Sequence, residues 1–93
     1  EMAEWVDATV DRILALGPRR VLELGVGTGL LLFRVAPRVS EYVGTDLSAQ
    51  VLATLRSRIE RHPEPLPHVA LLRREAADFA GLVRRVLDRE VVS

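Results

Sequence analysis

A short glycine-rich segment constrains this chain more than any other feature. Residues 21–24 have the pattern of a buried strand, and Gly25, Gly27 and Gly29 follow at once, separated by single residues. The apolar run 30–33 comes next and can begin a helix. A strand, a glycine turn and a helix in that order form a corner that can hold a cofactor.

The rest of the chain alternates helices with strands. An amphipathic helix opens the chain and ends at Gly17 and Pro18, and the helix after the glycines is predicted over about residues 28–36. Residues 41–46 and 69–73 read as further strands. Two more helices are predicted, one beginning at the N-cap Ser48 and one near the end of the chain. This order predicts an α/β fold: an incomplete, Rossmann-like parallel sheet of about three strands with flanking helices.

Several acidic residues fall where the predicted strands end. Glu23 lies beside the glycines, Asp46 ends the second strand, and residues 75–78 follow the third. Ligands of open parallel sheets bind at the carboxyl ends of the strands. We therefore expect these acids to converge on one site.

The identity of the ligand depends on Glu23 and Leu30. A dinucleotide fingerprint requires a glycine where this chain has Leu30. A carboxylate next to a pyrophosphate is unfavourable because like charges repel, whereas Glu23 would favour an ammonium or sulfonium group. S-adenosylmethionine carries both groups, so the pattern favours it as the cofactor. The alternative for Glu23 is a strand-end acid that only hydrogen-bonds the turn.

Asp46 is the candidate ribose ligand. It lies about 20 residues after the first glycine, where nucleotide-binding α/β folds place an acid that accepts hydrogen bonds from ribose hydroxyls. The alternative is that Asp46 caps the following helix in place of Ser48. Both roles are compatible.

A third candidate group follows the third strand. Asp78 can accept a hydrogen bond from the adenine amino group, with Ala77 and Phe79 near the ring. Glu75 is an alternative acceptor for the same contact. Asp78 could instead cap the last helix.

Composition excludes several classes of function. The 93 residues suffice for one small domain, and 13 basic and 13 acidic residues give no net charge that would attract nucleic acid or an anionic membrane. No apolar run approaches the roughly 18 residues that span a bilayer. The chain contains no cysteine, which is compatible with a cytoplasmic location. His62 and His68 flank a proline-rich loop without an evident third ligand, so no metal site is expected.

The motifs resemble those of class I S-adenosylmethionine-dependent methyltransferases. Residues 21–29 are similar to the first cofactor motif of that family, residues 42–46 to its acidic second-strand motif and residues 77–79 to its third. More specifically, residues 1–5, 22–32, 44–48 and 77–82 resemble methyltransferase domains embedded in nonribosomal peptide synthetases.

The resemblance implies roles for individual residues. The three glycines would line the methionine and ribose portion of S-adenosylmethionine, with Glu23 near the methionine ammonium. Asp46 would bind the ribose beside Leu47, and Asp78 would bind the adenine between Ala77 and Phe79. It also implies N-methylation of a carrier-bound aminoacyl or small-molecule substrate, with neighbouring synthetase domains as partners. No catalytic residue can be assigned.

The family continues beyond the motifs seen here into further strands. Residues 1–93 are therefore expected to be the N-terminal, cofactor-binding part of one methyltransferase domain, inactive unless completed by a C-terminal half. The first residue, Glu1, also suggests a piece of a longer polypeptide, although a processed terminus would look the same. The strand beginning at Val21 is expected to have an uncovered edge. Two alternatives stay open: a non-catalytic remnant with a structural role, and a nicotinamide-dinucleotide half-domain.

Overall fold

The computed structural model describes the backbone of residues 2–74 and 90–92 and the side chains of residues 4–74. Within these ranges the helices are α1 (Met2–Ala15), α2 (Leu32–Val35) and α3 (Ala49–Glu60), and a 3₁₀ turn, Ala36–Arg38, continues α2. The strands are β1 (Arg20–Leu24), β2 (Glu41–Asp46), β3 (Val69–Arg73) and β4 (Glu90–Val92).

The four strands form one parallel sheet with the order β3-β2-β1-β4. The chain moves outward from β1 to β3 and returns to add β4 on the other side of β1. That reversal creates a crevice at the carboxyl ends of β1 and β4, the usual ligand position in an open α/β sheet. The predicted fold class is thus confirmed, and its three predicted strands are β1, β2 and β3.

β4 corrects one sequence-based expectation. The free edge expected for the strand at Val21 does not exist, because Val21 pairs with Val91 and Leu22 with Val92. The strand was missed because it contains only three residues and its pairing spans about 70 positions of sequence.

The main cluster of buried hydrophobic side chains lies on one face of the sheet. Val21 and Tyr42 are register partners and therefore project to the same side. They belong to one buried cluster with side chains from all three helices, including Val10, Leu32 and Leu55. α1, α2 and α3 thus pack on this face. Gly17, which has a φ of 63°, follows the end of α1 and terminates the helix as predicted.

The helix predicted over residues 28–36 is much shorter. Residues 27–31 form turns, and α2 begins only at Leu32. Gly29 has a φ of 87°, which is incompatible with a right-handed helix, so the glycine turn extends into the apolar run. Leu31 and Leu32 are buried by this arrangement, whereas Leu30 is 52% exposed.

Candidate functional site

Residues 25–29, here called the glycine loop, connect β1 to the turns before α2. Gly25, Gly27 and Gly29 have φ angles of 73°, 56° and 87°. Residues with a Cβ adopt this left-handed region at a cost, so the alternating glycines have a direct conformational reason. Three backbone bonds hold the loop: Val26 N donates to Thr45 O at 2.8 Å, Gly29 N donates to Val26 O at 3.1 Å, and Phe33 N donates to Gly29 O at 3.1 Å.

The three glycines differ in what surrounds them. A Cβ at Gly25 would meet nothing within 4 Å, and one at Gly27 would meet only the Gly25 carbonyl oxygen, at 4.0 Å. A Cβ at Gly29 would lie 2.8 Å from Phe33 and 2.9 Å from Leu55. Gly25 and Gly27 therefore leave open space at the loop, whereas Gly29 is required for packing against α2 and α3.

Asp46 joins the glycine loop to the beginning of α3. Its Oδ2 accepts a hydrogen bond from Gly27 N at 3.2 Å, and its Oδ1 accepts one from Ser48 N at 3.0 Å. Ser48 is the N-cap of α3, because its Oγ accepts from Val51 N at 3.2 Å. Asp46 thus supports the turn before α3 without replacing Ser48 as its cap.

Glu23 lies in β1 immediately before the loop and is only 6% exposed. Tyr42, on the neighbouring strand and 1% exposed, donates its hydroxyl to Glu23 Oε1 at 2.6 Å. Burial raises the pKa of the Glu23 carboxyl to about 7, and the hydrogen bond from Tyr42 partly opposes that shift. Burial and the adjacent Glu23 also raise the pKa of the Tyr42 hydroxyl well above its ordinary value.

Leu47 follows Asp46 at the same edge of the sheet and is 62% exposed. Its carbonyl accepts a hydrogen bond from Arg73 Nε at 2.9 Å, and Arg74 N donates to the Asp46 carbonyl at 3.3 Å. The end of β3 therefore fixes the backbone of residues 46–47. The apolar side chain of Leu47, the residue after Asp46, is left exposed.

A cavity of about 240 Å³ lies between the glycine loop and α3. Its lining includes Gly27, Thr28, Val51, Thr54 and Arg58. Arg58 Nη1 donates to the Thr28 carbonyl at 2.6 Å. This contact was missed from the sequence, where Arg58 reads as one of several solvated arginines of α3.

Tyr42 was also missed as a partner of Glu23. The two residues are 19 positions apart, and the register of β1 and β2 brings them to the same face of the sheet. An aromatic residue within an apolar strand reads as core from sequence alone. The signal that could have found it is the parallel alignment of the two strands.

The third predicted group, Ala77, Asp78 and Phe79, lies outside the described residues, as do Glu75 and the predicted last helix. Both histidines contact backbone: His62 Nδ1 is 3.0 Å from Glu64 O, and His68 Nε2 is 2.6 Å from Ala36 O. Across residues 4–74, no cluster of three or more His, Cys, Asp or Glu side chains could hold a metal ion. No helix in the described part of the chain is long and apolar enough to cross a membrane.

Comparison with known proteins identifies the family. Residues 21–87, which include the glycine loop and Asp46, match the family described as "Methyltransferase domain". The chain belongs to this methyltransferase family. The methyltransferase resemblance inferred from the motifs is thereby confirmed.

Large peptide synthetases are among the similar curated proteins. The chain is 50% identical over 93 residues to chondramide synthase of Chondromyces crocatus, covering all of this chain and 2% of that protein. It is 41% identical over 93 residues to a protein of Salinispora arenicola named a probable non-canonical nonribosomal peptide synthetase, of which it covers 1%. The predicted similarity to methyltransferase regions of nonribosomal peptide synthetases is therefore confirmed.

The methyltransferase fold is also found among solved structures. The glycopeptide N-methyltransferase MtfA, determined as a complex with sinefungin, matches with a TM-score of 0.65 and 27% identity. The match covers 75% of this chain and 32% of that protein. The chain thus spans about a third of a solved methyltransferase and a small fraction of the synthetases.

Proposed function

We propose that residues 1–93 are the N-terminal, S-adenosylmethionine-binding part of a methyltransferase domain. We further propose that this domain N-methylates a carrier-bound aminoacyl or peptidyl group in a peptide assembly line. The observation that carries the proposal is the bond between Asp46 and Gly27, which joins the end of β2 to the glycine loop.

The Asp46 carboxylate fits a role in ribose binding. Each of its oxygens accepts one backbone N–H, and an ionised carboxylate offers about four acceptor positions in total. Acceptor capacity therefore stays available for hydroxyl donors. The two backbone bonds fix the orientation of the carboxylate, which lowers the entropy cost of binding a ribose.

The surroundings of Asp46 fit a flat nucleoside. The positions above Gly25 and Gly27 are open, so a ligand can approach the backbone closely. Leu47 offers an exposed apolar surface on which an adenine ring can lie. Gly29 supports this arrangement indirectly, through its packing against Phe33 and Leu55.

Glu23 fits a cationic partner near the loop. Its Oε1 accepts the Tyr42 hydroxyl, which leaves acceptor capacity on the carboxyl for a methionine ammonium. A cation beside this carboxylate would lower its raised pKa and favour the charged form. Binding of the cofactor is then coupled to loss of a proton from Glu23.

The proposed reaction depends on positioning. When bound, S-adenosylmethionine would supply an electrophilic methyl group for transfer to the acceptor amine. The contribution of this chain is to bind and orient the nucleoside through Asp46, Glu23 and the glycine loop. No residue here is proposed as a catalytic base. Ala77, Asp78 and Phe79 remain proposed adenine contacts.

The proposed setting follows from the relatives. Because this chain spans only 1–2% of two synthetases that it resembles, we propose neighbouring domains of a larger cytoplasmic synthetase as its partners. The zero net charge favours neither nucleic acid nor an anionic membrane as a partner.

Calorimetric titration with S-adenosylmethionine and NAD in parallel tests the proposed cofactor. We expect binding of S-adenosylmethionine and no measurable binding of NAD. Tighter binding of NAD would overturn the proposal in favour of a dinucleotide site. Lack of binding to both ligands by the folded protein would favour a non-catalytic remnant.

A further inference from the structure

Arg58 connects the last turns of α3 to the glycine loop. Its Nη1 donates to the Thr28 carbonyl at 2.6 Å across 30 positions of sequence. The donor is a charged guanidinium, and bonds of this kind are stronger than those between neutral groups. The contact is made to backbone, so it acts on the loop conformation whatever the side chain of residue 28.

The Arg58 guanidinium is itself held in place. It lies over the Phe33 ring, with Cζ 5.0 Å from the ring centroid. Phe33 also stacks with the His62 ring, at a centroid distance of 5.2 Å and an interplanar angle of 12°. Stacking and cation–π attraction restrict the rotamers of Arg58, so less entropy is lost when it binds the loop.

The bond acts on a particular peptide plane. The Thr28 carbonyl and the Gly29 N–H belong to one planar peptide unit. Arg58 binds the oxygen of that unit, and Val26 O accepts its N–H at 3.1 Å. Both ends of the plane are therefore held, one from α3 and one from within the loop.

The cavity beside the loop leaves room in which the loop could move. About 240 Å³ of space lies between the loop residues Gly27 and Thr28 and residues 50–58 of α3. A segment with three left-handed glycines has many accessible conformations, and the cavity offers room for it to move inward. Arg58 also lines this cavity, and its bond to the Thr28 carbonyl opposes such a movement.

We propose that Arg58 is a positioning residue that holds the glycine loop in the conformation that binds the cofactor. This inference rests on the proposed function, because it assigns Arg58 a role in affinity for S-adenosylmethionine. Arg58 acts through the Thr28–Gly29 peptide and makes no contact with the cofactor itself.

The test compares Arg58→Met and Arg58→Lys with a matched control. Arg58→Met keeps an apolar stem over Phe33 and removes the donor, whereas Arg58→Lys keeps a charge that can reach the carbonyl. Arg56→Met removes an exposed arginine from the same helix. Amide hydrogen exchange by NMR is measured without ligand, and dissociation constants for S-adenosylmethionine are measured by calorimetry.

We expect the Gly29 amide of Arg58→Met to exchange about tenfold faster than that of the wild type. The dissociation constant of this variant for S-adenosylmethionine should rise about three- to tenfold. For Arg58→Lys, both the exchange rate and the dissociation constant should lie between those of Arg58→Met and the wild type. Arg56→Met should match the wild type in both measurements. Equal Gly29 exchange in the two methionine variants would overturn the inference. Faster exchange with unchanged affinity would also overturn it, because the loop contact would then not serve binding. A wild type that does not bind the cofactor would instead overturn the proposed function, while exchange would still decide whether Arg58 holds the loop.

Discussion

Asp46 Oδ2 accepts the backbone N–H of Gly27 at 3.2 Å, and this bond connects the acidic end of β2 to the glycine loop. The two residues are 19 positions apart and lie at the carboxyl ends of adjacent strands. Because the other oxygen of Asp46 accepts Ser48 N at 3.0 Å, the same carboxylate also fixes the turn into α3. A side chain proposed to bind the ribose thus also organises the surrounding backbone.

Replacing Asp46 is expected to weaken cofactor binding strongly. Asp46→Ala removes the proposed ribose acceptor and both backbone bonds, and we expect at least about tenfold weaker binding of S-adenosylmethionine. Asp11→Ala, at an exposed position on α1, serves as the control. Calorimetry measures both dissociation constants, and equal affinity in the two variants would remove Asp46 from the site.

Gly29→Ala is expected to destabilise the fold more than an alanine at another left-handed glycine. At Gly17, with φ 63°, a Cβ meets nothing within 4 Å, so only the conformational cost of about 1–2 kcal/mol applies. At Gly29 the Cβ would also lie 2.8 Å from Phe33, and overpacking adds about 1–3 kcal/mol. Urea denaturation of both variants measures the difference in free energy of unfolding. Equal losses would show that Phe33 and Leu55 move aside freely.

Glu23 should make the stability of the protein depend on pH. Burial raises its folded-state pKa from 4.5 to about 7, so the folded state retains a proton that the unfolded chain releases. The contribution of Glu23 to the free energy of unfolding is therefore fully present below about pH 4.5 and is lost as pH rises through about 7. This contribution amounts to about 3 kcal/mol.

Glu23→Gln isolates this contribution, because glutamine does not titrate and its oxygen can still accept the Tyr42 hydroxyl. We expect the free energy of unfolding of the wild type to fall relative to that of Glu23→Gln between about pH 4 and pH 8. Denaturant titrations across that range measure the difference. A constant difference would contradict the raised pKa.

Tyr42→Phe is expected to destabilise the protein most when Glu23 is charged. The hydroxyl donates to Glu23 Oε1 at 2.6 Å, and its hydrogen bond lowers the pKa of the carboxyl. Removing it leaves a buried carboxylate with one fewer donor, which costs about 1–3 kcal/mol. The loss should therefore be larger above pH 7 than below it.

A double-mutant cycle with Glu23→Gln checks the coupling between the two side chains. In the Glu23→Gln background, the effect of Tyr42→Phe should be smaller and independent of pH. An effect of the same size and pH dependence in both backgrounds would mean that Tyr42 contributes only through packing.

Short-range patterns predicted much of the fold. Strands β1 to β3 were evident from apolar runs, and α3 from its apolar stripe and the Ser48 cap, which are local properties of the sequence. The start of α2 was predicted four residues early, because Gly29 adopts a left-handed conformation that the apolar pattern of residues 30–33 does not reveal. β4 depends on a long-range pairing that no local pattern specifies.

The positions of the candidate site residues were partly predictable. Spacing and strand position predicted that Glu23, Asp46 and the glycines lie at one edge of the sheet, where the structure places them. The pairings of Glu23 with Tyr42 and of Arg58 with Thr28 were not predicted. Glu23 and Tyr42 are separated by 19 positions and meet through the register of two strands. Arg58 and Thr28 are separated by 30 positions and meet where α3 packs against the loop.

A crystal structure with S-adenosylhomocysteine, the stable product of methyl transfer, tests the central claim most directly. We predict that both ribose hydroxyls or one of them lie within hydrogen-bonding distance of the Asp46 carboxylate, with the adenine against Leu47. The ligand backbone should pass over Gly25 and Gly27. A ligand bound elsewhere, or one whose ribose does not contact Asp46, would contradict the account.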